Sequence, residues 1–135
     1  MLAAAILASA LGFIDSFIVS IALPAMRLSL DAALIEGQWV HNAYMLTLAA
    51  LILLGGALGD RIGLARAFGA GMALFVATSL VCAVAPTAEV MIIGRTLQGV
   101  GAAIMVPGSL AIIARAYPAE ERGRAIGIWA AASAM

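Results

Sequence analysis

VMIIGRTLQGVGAAIMVPGSLAIIA, residues 90–114, holds one charged side chain, Arg95, and one amide, Gln98, in a run that is otherwise apolar or small. A helix that crosses the hydrocarbon of a bilayer needs about 20 mostly apolar residues, and this stretch exceeds that. A strand is a poor alternative, because the run is long and lacks the in–out alternation of a membrane barrel. A helix also satisfies its own backbone N–H and C=O groups where no water can. The stretch reads as a transmembrane helix with an arginine at membrane depth.

Working outward, the same criterion gives spans at about 2–23, stopping at Pro24, at about 39–58, and at about 67–85, before Pro86. A fifth begins near residue 125 and runs to 135. The expected fold class is an all-α membrane protein, with residues 1–135 as one partial helical bundle. No linker, low-complexity tract or soluble domain interrupts it. Composition agrees: 65% of residues are hydrophobic and 10% charged. A soluble domain carries roughly 45–50% and about 25%, and a chain of this length could not bury the excess in water. Because the last helix is cut at Met135, its packing partners are expected on a further C-terminal part or another chain. Met1 lies almost at the start of the first span, so the N-terminus reads as truncated or misassigned. A cleaved signal peptide fits poorly: there is no basic lead-in, and Asp15 interrupts the apolar stretch.

All seven basic residues are arginines, and formal net charge is zero. Charge gives no sign of a nucleic-acid partner. The second-to-third and fourth-to-fifth connections hold Arg61, Arg66, Arg115, Arg122 and Arg124, whereas the first-to-second holds Arg27 alone. The positive-inside rule places the N-terminus and the arginine-rich connections in the cytoplasm, in what composition suggests is a bacterial inner membrane. Trp39 then anchors the outer end of the second span. Cys82, the single cysteine, reads as a small buried hydrophobe.

Two ionised groups stand within spans, Asp15 and Arg95, and each is expected to have a partner. Asp15 lies ~12 Å below the outer end of its helix and Arg95 ~8 Å below the outer start of its own, at 1.5 Å per residue. The two are therefore expected to pair. The bland reading is a polar tie between helices. The functional one is that Asp15 takes and loses a proton, held between a guanidinium that favours its charged form and apolar surroundings that favour its neutral form. Gln98, one turn from Arg95, can hydrogen-bond on the same face. His41, near the outer end of the second span, is a candidate proton relay, though such a histidine more often sits in the interface. Glu89 reads as solvated.

Gly94, Gly101 and Gly108 recur every seven residues and share one helix face. Gly99 with Ala103, Gly55 with Gly59, and Gly123 with Gly127 form further small-residue pairs, and all are expected to let helices approach closely. Pro107 is expected to kink the fourth helix.

Three blocks resemble the major facilitator superfamily, specifically its drug–proton antiporter branch with fourteen spans. DSFIVSIALP, residues 15–24, resembles the branch's first-helix signature in Asp15, Ala22, Leu23 and Pro24, with Phe17 and Ser20 replacing the usual threonine and asparagine. GALGDRIGLAR, residues 56–66, resembles the superfamily's loop signature in Gly56, Leu58, Asp60, Arg61 and Gly63. Leu64 and Ala65 stand where two basic residues are usual, with Arg66 one place later. RTLQGVGAA, residues 95–103, resembles the fourth-helix signature throughout, including Arg95, Gln98, Gly99 and Gly101. Gln38-Trp39-Val40 leading to Tyr44 resembles the start of the second helix.

The resemblance implies the N-terminal part of a major-facilitator bundle whose other half lies beyond Met135. It implies proton-coupled efflux of small amphipathic or drug-like compounds by alternating access, with Asp15 and Arg95 in proton transfer. Gly56, Asp60, Arg61, Gly63 and Arg66 would form a cytoplasmic gating loop that latches the outward-facing state, weakened by Leu64 and Ala65. The expected partners are the lipid bilayer, a small-molecule substrate, protons and the missing C-terminal bundle, and the chain is expected not to transport alone. Two alternatives stand beside this: a truncated, non-transporting membrane protein or packing partner, and a permease for another metabolite. No nucleophile–base pair, phosphate-binding loop or metal cluster has usable spacing, so no enzyme, cofactor or metal is expected.

Overall fold

A computed structural model describes residues 2–134; Met135, the expected last residue of the fifth span, lies outside them. Five helices follow in order: α1 Leu2–Ser29, α2 Leu34–Ile62, α3 Leu64–Ala83, α4 Ala88–Ala116 and α5 Ala119–Ala134. There is no strand among the described residues. Stretches of α1 (Ala10–Ser29) and the whole of α2, α3 and α4 are long and apolar enough to cross a membrane.

The helices differ from the apolar runs at their ends. α1 does not stop at Pro24 but continues through it to Ser29. Proline removes one backbone bond, yet unwinding the helix in lipid would leave several backbone groups unpaired. α2 begins at Leu34 rather than near residue 39, and Glu36 accepts from the Ala33 N–H at 2.7 Å. That bond gives one free N–H at the helix start a partner. α4 gains its start from Thr87, whose hydroxyl accepts from the Val90 N–H at 3.3 Å. α5 begins at Ala119, six residues earlier than its apolar run, because Glu120 and Glu121 suit the positive end of a helix dipole.

α4 is the centre of the bundle. Half of its membrane-crossing window is buried (50%), against 11% for α1. The small residues explain this placement. Gly94, Gly101 and Gly108 face α3: a Cβ at each would meet Cys82 Sγ at 2.6 Å, the Gly71 carbonyl oxygen at 2.8 Å and the Phe68 ring at 3.4 Å. Gly99 faces α2, where a Cβ would lie 2.8 Å from the Tyr44 carbonyl oxygen. Gly55 on α2 returns the contact, with its missing Cβ occupied by the Ala103 carbonyl. Backbones thus touch on two sides of α4, where lipid provides no hydrophobic contrast to drive association. Gly123 and Gly127 behave otherwise: a Cβ at either meets nothing within 4 Å among the described residues. α5 is held instead by Ile113 and Ala125, with Tyr117, Ile126 and Trp129 around them.

Candidate functional site

Asp15 on α1 and Arg95 on α4 meet in an ion pair between Oδ2 and Nη1. Matched depth makes this contact available, but the α1–α4 approach and a third residue fix its geometry. Gln98, three residues after Arg95, accepts from Arg95 Nη1 at 2.7 Å and donates through Nε2 to Asp15 Oδ1 at 3.0 Å. Carboxylate, guanidinium and amide therefore close a ring of hydrogen bonds. The Gln98 amide also donates to Ser79 Oγ on α3 at 2.7 Å, and Arg95 Nε donates to the Val40 carbonyl on α2 at 3.2 Å. Side chains or backbone of four helices thus join one hydrogen-bonded network, with α1 and α2 meeting the guanidinium directly and α3 reaching it through Gln98.

The burial of the pair is unequal. Arg95 is 1% exposed and Asp15 is 23% exposed. The positive charge is sealed in the bundle, while the carboxylate reaches its edge. Removing one partner of a fully buried pair costs about 3–5 kcal/mol, because the other charge is left uncompensated; the cost is lower here, where Asp15 is partly exposed and Gln98 and the Val40 carbonyl still accept from Arg95.

Three members of this site were not assigned to it from the sequence, although Val40 and Tyr44 fall in the stretch that resembles the start of the family's second helix. Val40 contributes only its carbonyl, which no side-chain pattern reveals. Ser79 is one small polar residue in an apolar helix. Tyr44 lies under the guanidinium, with Arg95 Cζ 4.4 Å from its ring centroid, within cation–π range. Its hydroxyl borders α1, where a Cβ at Gly12 would sit 3.4 Å from it. The available signal was the phenol itself, since a tyrosine deep in a span needs a place for its O–H.

His41 lies on α2, partly buried, and its Nδ1 has no hydrogen-bond partner among the described residues. The structure does not bond it to Asp15 or Arg95. Gly99 and Gly101 serve as close-approach points rather than as ligands.

The second block lies at the end of the bundle that holds the α2–α3 and α4–α5 connections. Its loop is a single residue: Gly63 alone separates α2 from α3, at φ 95° and ψ 134°. A side chain there would be strained by its backbone, which accounts for the glycine. Asp60 and Arg61 fall in the last turn of α2 and Arg66 in the first turn of α3, all exposed. Asp60 lies 3.9 Å from Arg115 at the end of α4, with both side chains largely exposed. Such a pair is worth at most about 1 kcal/mol. Arg61 and Arg66 form no ion pair among the described residues. Gly56 lines a cavity of about 230 Å³ between α2, α3 and α4, together with Gly59, Asp60 and Pro107. No group of acidic, histidine or cysteine side chains capable of holding a metal occurs among the described residues.

Residues 5–135 match the family profile described as Major Facilitator Superfamily. The chain belongs to that superfamily. Among curated members, it is similar to the methylenomycin A resistance protein of Streptomyces coelicolor, at 40% identity over 93% of this chain and 28% of that protein. It is also similar to the tetracenomycin C resistance and export protein of Streptomyces glaucescens, at 38% identity over 86% of this chain and 22% of that protein. The riboflavin transporter of Clostridioides difficile is 36% identical over 85% of this chain and 25% of its own length. The chain thus spans about a quarter of the length of these major facilitator relatives. It is a multi-pass membrane segment of a transporter family whose members include drug-resistance and efflux proteins.

Proposed function

We propose that the full-length protein containing this chain exports small amphipathic or cationic compounds in exchange for protons, with Asp15 as the carboxylate that binds and releases the proton. The observation that carries the reading is the unequal burial of the pair. Arg95 is sealed, and a guanidinium keeps its charge even there, so the charge is fixed in place. Asp15 is tied to it yet reaches the edge of the bundle, where a proton or a cationic substrate can arrive. Proton binding neutralises the carboxylate, weakens the tie between α1 and α4, and so favours one arrangement of the helices over the other. A second bundle, beyond this chain, would complete a central site that opens alternately to each side.

The arginine-rich α2–α3 and α4–α5 connections support a cytoplasmic placement of that end, and with it a cytoplasmic N-terminus. Asp60 there sits at the negative end of the α2 dipole, an unfavourable place for a carboxylate, and its ion-pair partner among the described residues is the exposed Arg115. A latch is consistent with this: Asp60 finds a better partner on the opposite bundle, and Arg61 and Arg66 engage acidic groups there. The riboflavin transporter among the relatives favours a second reading, a permease for another metabolite.

Everted membrane vesicles containing the full-length protein distinguish these readings, with ethidium as the probe. Respiration should drive ethidium uptake that stops when nigericin collapses the pH gradient. Uptake that persists at full rate after collapse would contradict proton exchange. The absence of ethidium uptake, together with gradient-driven riboflavin transport, would favour the second reading.

A further inference from the structure

We infer that Tyr44 is a positioning residue for Arg95, its ring face holding the guanidinium charge during the part of the cycle in which Asp15 is protonated. The inference rests on the reading of Asp15 as proton carrier. Arg95 remains charged at any working pH, and it is 1% exposed. Among the described residues Asp15 is its only carboxylate partner. When Asp15 takes a proton, the guanidinium loses its counter-charge in a water-poor interior. The Val40 carbonyl, the Gln98 amide oxygen and the Tyr44 ring remain. One Arg95 nitrogen, Nη2, is buried and has no hydrogen-bond partner among the described residues even with the pair intact, so these neutral groups are already few.

A ring face attracts a cation most when no anion offsets the charge. Within the ion pair the carboxylate already does so. The ring therefore stabilises the state with neutral Asp15 more than the state with charged Asp15. An aliphatic residue in its place would hold both states without that difference.

The packing suits the role. Tyr44 is 2% exposed, and Gly99 on α4 approaches its carbonyl so closely that a Cβ would lie 2.8 Å away. The tyrosine backbone is thus locked to the helix that carries Arg95. α1 bears the proton-binding carboxylate and is far less buried than α4. Arg95 stays with the α2–α4 core, supported by Tyr44, while the link to α1 is made and broken by the proton. The titratable groups that interact with the pair are Tyr44 on α2 and Cys82 on α3, and His41 lies one turn along α2 from Tyr44. The charged residues of α5 lie between Glu120 and Arg124, in its first two turns.

Labelling of Asp15 in the full-length protein by a carbodiimide, which reacts with protonated carboxyls, reads out the proton directly when mapped by mass spectrometry across pH. Position 44 is varied through Tyr44→Phe, then difluoro- and trifluorophenylalanine, which keep the ring's shape while draining its negative face, then Tyr44→Leu. Tyr44→Phe should leave the half-labelling pH unchanged. The fluorinated rings should lower it stepwise and Tyr44→Leu should lower it most, by about half a unit to one unit. An unchanged or raised half-labelling pH across the fluorinated series would overturn the inference while leaving Asp15 as proton carrier. Labelling of Asp15 that is independent of pH in the unmodified protein would remove that reading and the inference together.

Discussion

Asp15→Asn in the full-length protein is expected to abolish proton-driven ethidium efflux, by about 100-fold or more, while the protein still inserts and folds. Asparagine has nearly the same shape as aspartate. Its carbonyl oxygen can still accept from Arg95 and the Arg95–Gln98 bond is untouched, so the bond lost from the ring is the one that Gln98 Nε2 donates to the carboxylate. It is also cheaper to place in a span than a charge, so insertion is not endangered. What it cannot do is change charge. If coupling lies in the difference between a carboxylate and a carboxylic acid beside a sealed guanidinium, removing that difference removes exchange. Efflux at the normal rate in Asp15→Asn vesicles, with normal protein in the membrane, would assign the pair a structural role only.

Gly55→Ala should cause the largest loss of stability of any single added methyl in the bundle. The new Cβ would fall on the Ala103 carbonyl, with Ala103 C at 2.6 Å and Ile104 Cα at 2.9 Å beside it. All three are backbone atoms of α4, so no side chain can turn away and the helices must part. Overpacking of this kind costs about 1–3 kcal/mol or more. The matched control is Gly69→Ala on α3, where a Cβ meets nothing within 4 Å. That change should be neutral or raise stability slightly, because alanine favours a helix by about 1 kcal/mol over glycine. Thermal unfolding of the detergent-solubilised full-length protein, followed by size-exclusion chromatography, compares the two. Equal unfolding temperatures for both variants would mean that α2 and α4 do not touch backbone to backbone.

Much of the architecture could be read from the chain because lipid imposes so few solutions. Apolar runs had to be helices, and a stripe of glycines along residues 94–108 had to be a contact. Helix ends were harder. Hydropathy reports where lipid begins, whereas α1 runs past Pro24 and α5 starts at Ala119 for backbone and dipole reasons that apolarity does not encode. In the site, Asp15, Arg95 and Gln98 stood out because charge and amide are costly in a span. Tyr44 and Ser79 did not, since an aromatic ring or a small hydroxyl is tolerated there with or without a role. The Val40 carbonyl could only emerge from three-dimensional packing. Gly123 and Gly127 differ: small residues at helical spacing permit close contact, and among the described residues no partner meets them.

The account depends on Asp15 taking up and giving up a proton beside a permanently charged Arg95. Infrared difference spectroscopy of the purified full-length protein across a pH titration observes that event without any substrate. A carboxylic-acid carbonyl band that appears on acidification and is missing from Asp15→Asn is the predicted result. A band that persists unchanged in Asp15→Asn, or a spectrum with no such band in the unmodified protein at any pH where it stays folded, would contradict it.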